Sequence, residues 1–122
     1  YKQGFELRLL ELTPEQKDQL LFTIPAGTEM GRMNWSPDGK SLIYPQQITD
    51  QLQTSLWLYD LKTGKREQLT VLPSSGWMDY GPVFSHDSQT VAFLRRYNDK
   101  KTELWLLDMP SRETRLLYTL TG

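Results

Sequence analysis

"NWSPDGKSLIY", residues 34–44, joins an aromatic residue, a tight-turn signal and a short apolar strand. Pro37 presets φ for the second turn position, Asp38 accepts bonds from nearby backbone N–H groups, and Gly39 takes positive φ without steric cost. The stretch therefore reverses the chain between two strands. A worn copy, "VFSHDSQTVAF", occupies residues 83–93. Its turn reads Ser85-His86-Asp87-Ser88: proline and glycine are gone and Asp87 stays. A non-glycine residue at positive φ costs on the order of 1 kcal/mol, so this second turn is expected to be looser or slightly reshaped.

The copying extends well beyond the turn. Trp35 falls on Phe84 at an offset of 49, and "LWLYDLKTGKREQLT" (56–70) falls on "LWLLDMPSRETRLLY" (104–118) at 48. Upstream, "LRLLELTPEQKDQLL" (7–21) falls on 56–70 at an offset of 49. Each full copy reads as four short strands, A to D, rich in Leu, Ile, Val, Phe, Trp, Tyr and Thr and punctuated by turn residues. The first copy places them near 32–36, 40–45, 54–60 and 66–71. The second places them near 81–85, 89–95, 102–108 and 113–119. The leading partial copy supplies only C and D, near 5–11 and 18–23. Helix competes over 5–22, but Pro14 interrupts it and the alignment with two strand pairs favours β. "LWLY" and "LWLL" are apolar without alternation, as in strands covered on both faces.

Four-stranded antiparallel units repeating in the forties of residues are the signature of a β-propeller. The fold class expected is all-β: one partial propeller over 1–122, with a half blade at 1–23 and blades at 32–71 and 81–119. A closed ring needs at least four blades, roughly 190 residues at this period, and the chain has 122. A section of a longer propeller is expected, or else copies whose uncovered blade faces or strand edges associate with one another.

"WSPDGKSLIY … LWLYDLKTGKREQLT" resembles the WD-like repeat of TolB-type propellers. The likeness is carried by Trp35 to Gly39, Leu42 to Tyr44, Leu56 to Asp60, Gly64 and Leu69-Thr70. The second repeat matches at Phe84, Ser85, Asp87, Phe93 and Leu104 to Asp108, and departs at His86, Ser88, Arg112 and the closing pair. Pro37, Asp38, Gly39, Gly64 and Asp87 are thereby read as structural turn residues. Similar blades occur in TolB-type periplasmic proteins, in the propellers of prolyl-oligopeptidase-type peptidases and in the C-terminal regions of CadC-like winged-helix membrane regulators.

Composition bounds the chemistry. The net charge is −1, so no strong field draws nucleic acid or an anionic membrane. Cysteine is absent, which removes disulfides, thiolate chemistry and cysteine zinc sites. No apolar run approaches the ~18 residues of a membrane span, and "YKQGFELRLL" carries no signal-peptide pattern. His86 is the single histidine. With no second ligand in register it reads as a turn residue rather than a metal ligand or general base. No Gly-x-Ser-x-Gly elbow or glycine-rich phosphate loop occurs. Asp60 and Asp108 are read as turn acceptors, each in its own blade. "NWS" (34–36) matches a glycosylation acceptor, but Pro37 follows and the unit reads as a packed strand. No cofactor and no catalytic or metal residue is expected.

Trp35, Trp57 and Trp105 fall at repeat positions and read as core. Trp77 lies in "PSSGWMDYG" (73–81), between D of one blade and A of the next. In an up-and-down blade the B–C and D–A connections share one end, and loops on a rigid scaffold commonly carry binding. Met30, Trp77, Met78, Tyr80 and Tyr97, with Arg95 and Arg96 as a basic edge, form the candidate interaction face. Plugging the gap between blades is the alternative use of Trp77 and Tyr80. The resemblance implies a non-catalytic, periplasmic bacterial sensory region of a CadC-like regulator, whose DNA-binding domain lies elsewhere. A protein partner or small ligand would bind, and this segment would contact neither nucleic acid nor membrane. The alternatives are a TolB-like protein-binding propeller and the gating propeller of a serine peptidase.

Overall fold

The computed structural model describes residues 5–10, 18–24, 33–47, 53–74, 76–97 and 101–121, with only the backbone considered at 5–10 and 18–24. The described strands are β1 (Phe5–Leu10), β2 (Asp18–Ile24), β3 (Asn34–Trp35), β4 (Ser41–Gln47) and β5 (Thr54–Asp60). They continue as β6 (Arg66–Gln68), β7 (Trp77–Phe84), β8 (Thr90–Tyr97), β9 (Lys101–Asp108) and β10 (Thr114–Thr121). The chain is all-β. β1 and β2 pair antiparallel, so 5–10 and 18–24 are strand rather than helix.

β3–β6 make one four-stranded antiparallel unit and β7–β10 a second, each pairing neighbours in chain order. A single parallel bridge, Thr54 to Met78, joins them into one eight-stranded path. Asn34 Nδ2 also donates to the Pro82 carbonyl at 3.0 Å, tying the two A strands together. These are two propeller blades, called blade 1 and blade 2 below.

Side-chain alternation decides the packing. Ile43, Leu56, Leu58 and Leu69 of blade 1 meet Val91, Phe93, Leu107 and Met109 of blade 2 in one core, with Phe84 and Trp105 against it. Leu42, Tyr44 and Tyr59 are buried on the other side of blade 1, beside Met33, Trp57 and Leu61. The β4–β5 pair is therefore covered on both faces, which is why "LWLY" does not alternate. Each core side chain contributes about 1.5–3 kcal/mol by leaving water, so the seam is the main source of cohesion between the blades.

The two A–B turns are built alike, contrary to the expectation of a looser second turn. In the first, the Ser36 hydroxyl donates to Asp38 Oδ1 at 2.6 Å, and Lys40 N donates to the same oxygen at 2.9 Å. In the second, the Ser85 hydroxyl donates to Asp87 Oδ1 at 2.6 Å, and Gln89 N donates to the same oxygen at 3.0 Å. Gly39 has φ +75° and Ser88 φ +63°. The Ser–Asp bonds hold the loop closed, so Ser88 is carried into the left-handed region instead of the turn opening. Asp60 and Asp108 cap the C–D turns in the same manner, accepting from Lys62 N and Thr63 N, and from Ser111 N and Oγ. Gly64 (φ +75°) is matched there by Arg112 (φ +65°).

β7 begins at Trp77, four residues before the expected start at 81. The ladder with β8 slips by one residue between Tyr80 and Val83, where Gly81 sits at φ +64°. The extra residue is absorbed as a β-bulge. Trp77–Tyr80 thereby pair with Leu94–Tyr97 as strand rather than loop.

Candidate interaction face

The strand register sorts the candidate residues onto two sides of blade 2. Trp77 lies opposite Tyr97, and Asp79 opposite Arg95. These share the side of Val91 and Phe93, which faces blade 1. Met78 lies opposite Arg96 and Tyr80 opposite Leu94, on the outer side. Both sets stand at the end of the blade that carries the B–C and D–A connections. Met30 lies outside the described residues.

On the inner side the Trp77 and Tyr97 rings are 5.1 Å apart and tilted by 43°, a spacing at which the positive edge of one ring meets the negative face of another. Below them is a buried ionic cluster. Arg95 grips Asp79 with two parallel bonds, Nε to Oδ1 at 2.7 Å and an Nη to Oδ2 at 3.0 Å. Asp79 is wholly inaccessible and Arg95 is 6% exposed. Arg95 also stacks 4.7 Å over the Trp105 ring. Trp105 Nε1 donates to Glu103 Oε1 at 2.9 Å, and Lys101 Nζ lies 3.5 Å from Glu103 Oε2. The Thr70 hydroxyl, which accepts from Leu56 N at 2.9 Å, bonds Asp79 from blade 1. Burial pushes the Asp79 carboxyl up, against the pull of Arg95 and Thr70. The Arg95 guanidinium is therefore in the seam and forms no surface edge. It holds the end of β8 in register beneath the aromatic pair.

On the outer side an Nη of Arg96 lies 3.8 Å from Met78 Sδ, and its guanidinium sits 5.6 Å from the Tyr80 ring centroid. Arg96 Nε is buried without a partner among the described residues. The site is thus two aromatic–cation clusters on opposite faces of one strand pair. Neither is a floppy loop, because both stand in the β7–β8 ladder.

Asp79 and Glu103 escaped the sequence reading. The signal was available in β8: Val91, Phe93 and Arg95 alternate onto one face, and an arginine continuing a core stripe requires a buried carboxylate. His86 stands at the A–B turn and is exposed there, at the opposite end of the blade from the clusters. Trp57 Nε1 donates to Ser55 Oγ at 3.0 Å in the position where Trp105 donates to Glu103, a packing role repeated blade to blade. Among the described residues no group of three or more His, Asp or Glu side chains is placed to hold a metal.

No family model matches the chain. Several solved structures do match it in three dimensions. TolB from Acinetobacter baumannii superposes with a TM-score of 0.73 at 23% identity, over 96% of this chain and 27% of that one. A puromycin hydrolase gives 0.70 at 21% identity, over 94% of this chain and 18% of that one. An oligogalacturonate lyase in complex with manganese gives 0.68 at 11%, over 88% of this chain and 28% of that one. The chain spans about a quarter of the TolB it matches. It has the fold of a section of a TolB-type β-propeller.

Proposed function

We propose that this propeller section is a non-catalytic recognition element, the periplasmic sensory region of a membrane-bound CadC-like winged-helix regulator. The observation that supports recognition is the pair of clusters at one end of blade 2, Trp77–Tyr97 inside and Met78–Tyr80–Arg96 outside. Both stand in the β7–β8 ladder, and the Asp79–Arg95 bonds lie beneath the inner pair. Aromatic, methionine and arginine side chains held rigidly lose little entropy on binding, and they are the types that anchor protein interfaces. A protein partner or small ligand would rest on this end, with no cofactor required.

The second reading is a TolB-like periplasmic protein-binding propeller. The superposition on TolB over 96% of the chain favours it. A gating propeller of a serine peptidase is the third, in keeping with the superposition on a hydrolase. Reading the coding sequence on both sides of the segment separates them. A basic winged helix and a membrane span upstream are expected. Blades alone behind a signal peptide would replace that reading with the second, and a downstream Gly-x-Ser-x-Gly with later Asp and His would replace it with the third.

A further inference from the structure

Thr70 and Tyr118 occupy the same place in successive repeats, at an offset of 48, and the two D strands behave differently there. In blade 2 the main chain stays in the ladder: Tyr118 pairs with Leu104, and β10 runs on to Thr121 opposite Lys101. In blade 1 the β5–β6 ladder stops at Trp57 and Gln68. Beyond it, Leu69 N donates to the Leu56 carbonyl at 2.7 Å, and Leu56 N donates to the Thr70 hydroxyl oxygen at 2.9 Å. A side chain thus takes the place of a ladder carbonyl and lets the main chain leave β5. Threonine can do this because it carries its oxygen on Cβ, close to the backbone. Tyrosine carries its oxygen at the far end of a ring, and in blade 2 the backbone itself completes the ladder.

The same hydroxyl has a proton to give, and it donates to Asp79 of blade 2. Thr70 is 2% exposed and Asp79 fully buried, so water cannot replace that bond. Asp79 in turn holds Arg95 at 2.7 and 3.0 Å. This pair stands next to Trp77 and Tyr97 on the same side of the β7–β8 ladder. A continuous run of hydrogen bonds therefore leads from the Leu56 amide of blade 1, through Thr70 and Asp79, to the strand pair that carries the two rings.

We infer that Thr70 is a positioning residue for the candidate interaction face: its hydroxyl fixes Asp79 to blade 1, so that Trp77 and Tyr97 take their places only while the two blades are docked. The inner half of the face is then a property of the seam, and a partner resting on the rings senses how blade 2 sits against blade 1. That the face recognises a partner rests on the function proposed above. The positioning is tested without any partner, so each can fail while the other stands.

The test is nuclear magnetic resonance of the 122-residue chain and of its Thr70→Val and Thr70→Ser variants. Valine is close to threonine in shape and lacks the hydroxyl. Thr70→Val should lose the ring-proton contacts between Trp77 and Tyr97. Exchange of the Leu56 amide should quicken by about tenfold or more, because that amide loses its acceptor. Methyl contacts between Ile43 and Val91 should remain, which separates a local change from loss of the core. Thr70→Ser should restore both the ring contacts and the slow amide. In the unmodified chain the Thr70 hydroxyl proton should exchange slowly enough to be seen, in contact with Asp79. Rings that stay together in Thr70→Val would overturn the inference, and so would a serine variant that behaves like the valine one. A Thr70 hydroxyl proton lost to rapid exchange in the unmodified chain would overturn it even if Thr70→Val did not fold.

Discussion

Arg112 Nε donates to Glu67 Oε2 at 2.9 Å across the seam between the blades, from a backbone held at φ +65°. The repeat has Gly64 at this place, at φ +75°. A left-handed arginine is unfavourable by about 1 kcal/mol, and the pair sets a second bond at 3.2 Å against that strain. Both side chains are substantially exposed, so the pair itself contributes only about 0.2–1 kcal/mol. The two effects nearly cancel. Arg112→Gly should therefore change stability by less than about 1 kcal/mol in either direction. Glu67→Gln should destabilise the parent slightly and the Arg112→Gly background not at all. Urea unfolding of the four proteins forms the cycle that checks this.

Leu56 and Leu104 occupy the same place in successive blades, yet only Leu56 is buried in a seam. Leu56→Ala should cost about 2–5 kcal/mol, the range for opening a cavity in a packed core. Leu104→Ala should cost clearly less, because its side of blade 2 is partly open to water. Equal losses in denaturant unfolding would mean that the outer side is covered within the chain.

Breaking the Asp79–Arg95 pair from one side leaves a buried guanidinium without its carboxylate. Asp79→Ala should destabilise by about 3–5 kcal/mol, whereas Asp79→Leu combined with Arg95→Met should lose much less. Guanidinium denaturation of both variants decides it. A double variant as unstable as the single one would show that the cluster contributes more than charge compensation.

The turn aspartates give the fold an acid limb. Hydroxyl and backbone donors hold Asp38, Asp87, Asp60 and Asp108 below the usual carboxylate range. With folded values lowered from 3.8, the folded chain binds fewer protons than the unfolded one. Their contribution is present above the unfolded value and is lost as pH falls through the folded ones. Asp79 has the opposite sign: its value is raised by burial, so its contribution fades as pH rises from 3.8 through the raised value. Asp38→Asn and Asp87→Asn should flatten the acid side of a stability profile taken by urea midpoints at successive pH values. Asp79→Asn should not flatten it.

The blades were legible in the sequence because their chemistry is local. Ser36–Gly39 and Ser85–Ser88 specify their turns through bonds within five residues, and "LWLY" reveals two-sided burial without knowledge of what covers it. The candidate site was less legible. Trp77–Tyr80 follow Pro73 and Gly76 and read as loop, but the one-residue bulge at Gly81 lets β7 continue through them. Arg95 read as a basic edge of the candidate face because its acceptor, Asp79, is 16 residues away in a stretch taken for loop. Partners across a ladder become visible only once the register is known.

The two repeats stack face to face through one core. Nuclear Overhauser contacts between methyl groups test it most directly. Ile43 and Leu56 of the first repeat should show contacts to Val91 and Leu107 of the second. Methyl contacts confined within each repeat, with none between those pairs, would contradict the stacked-blade account.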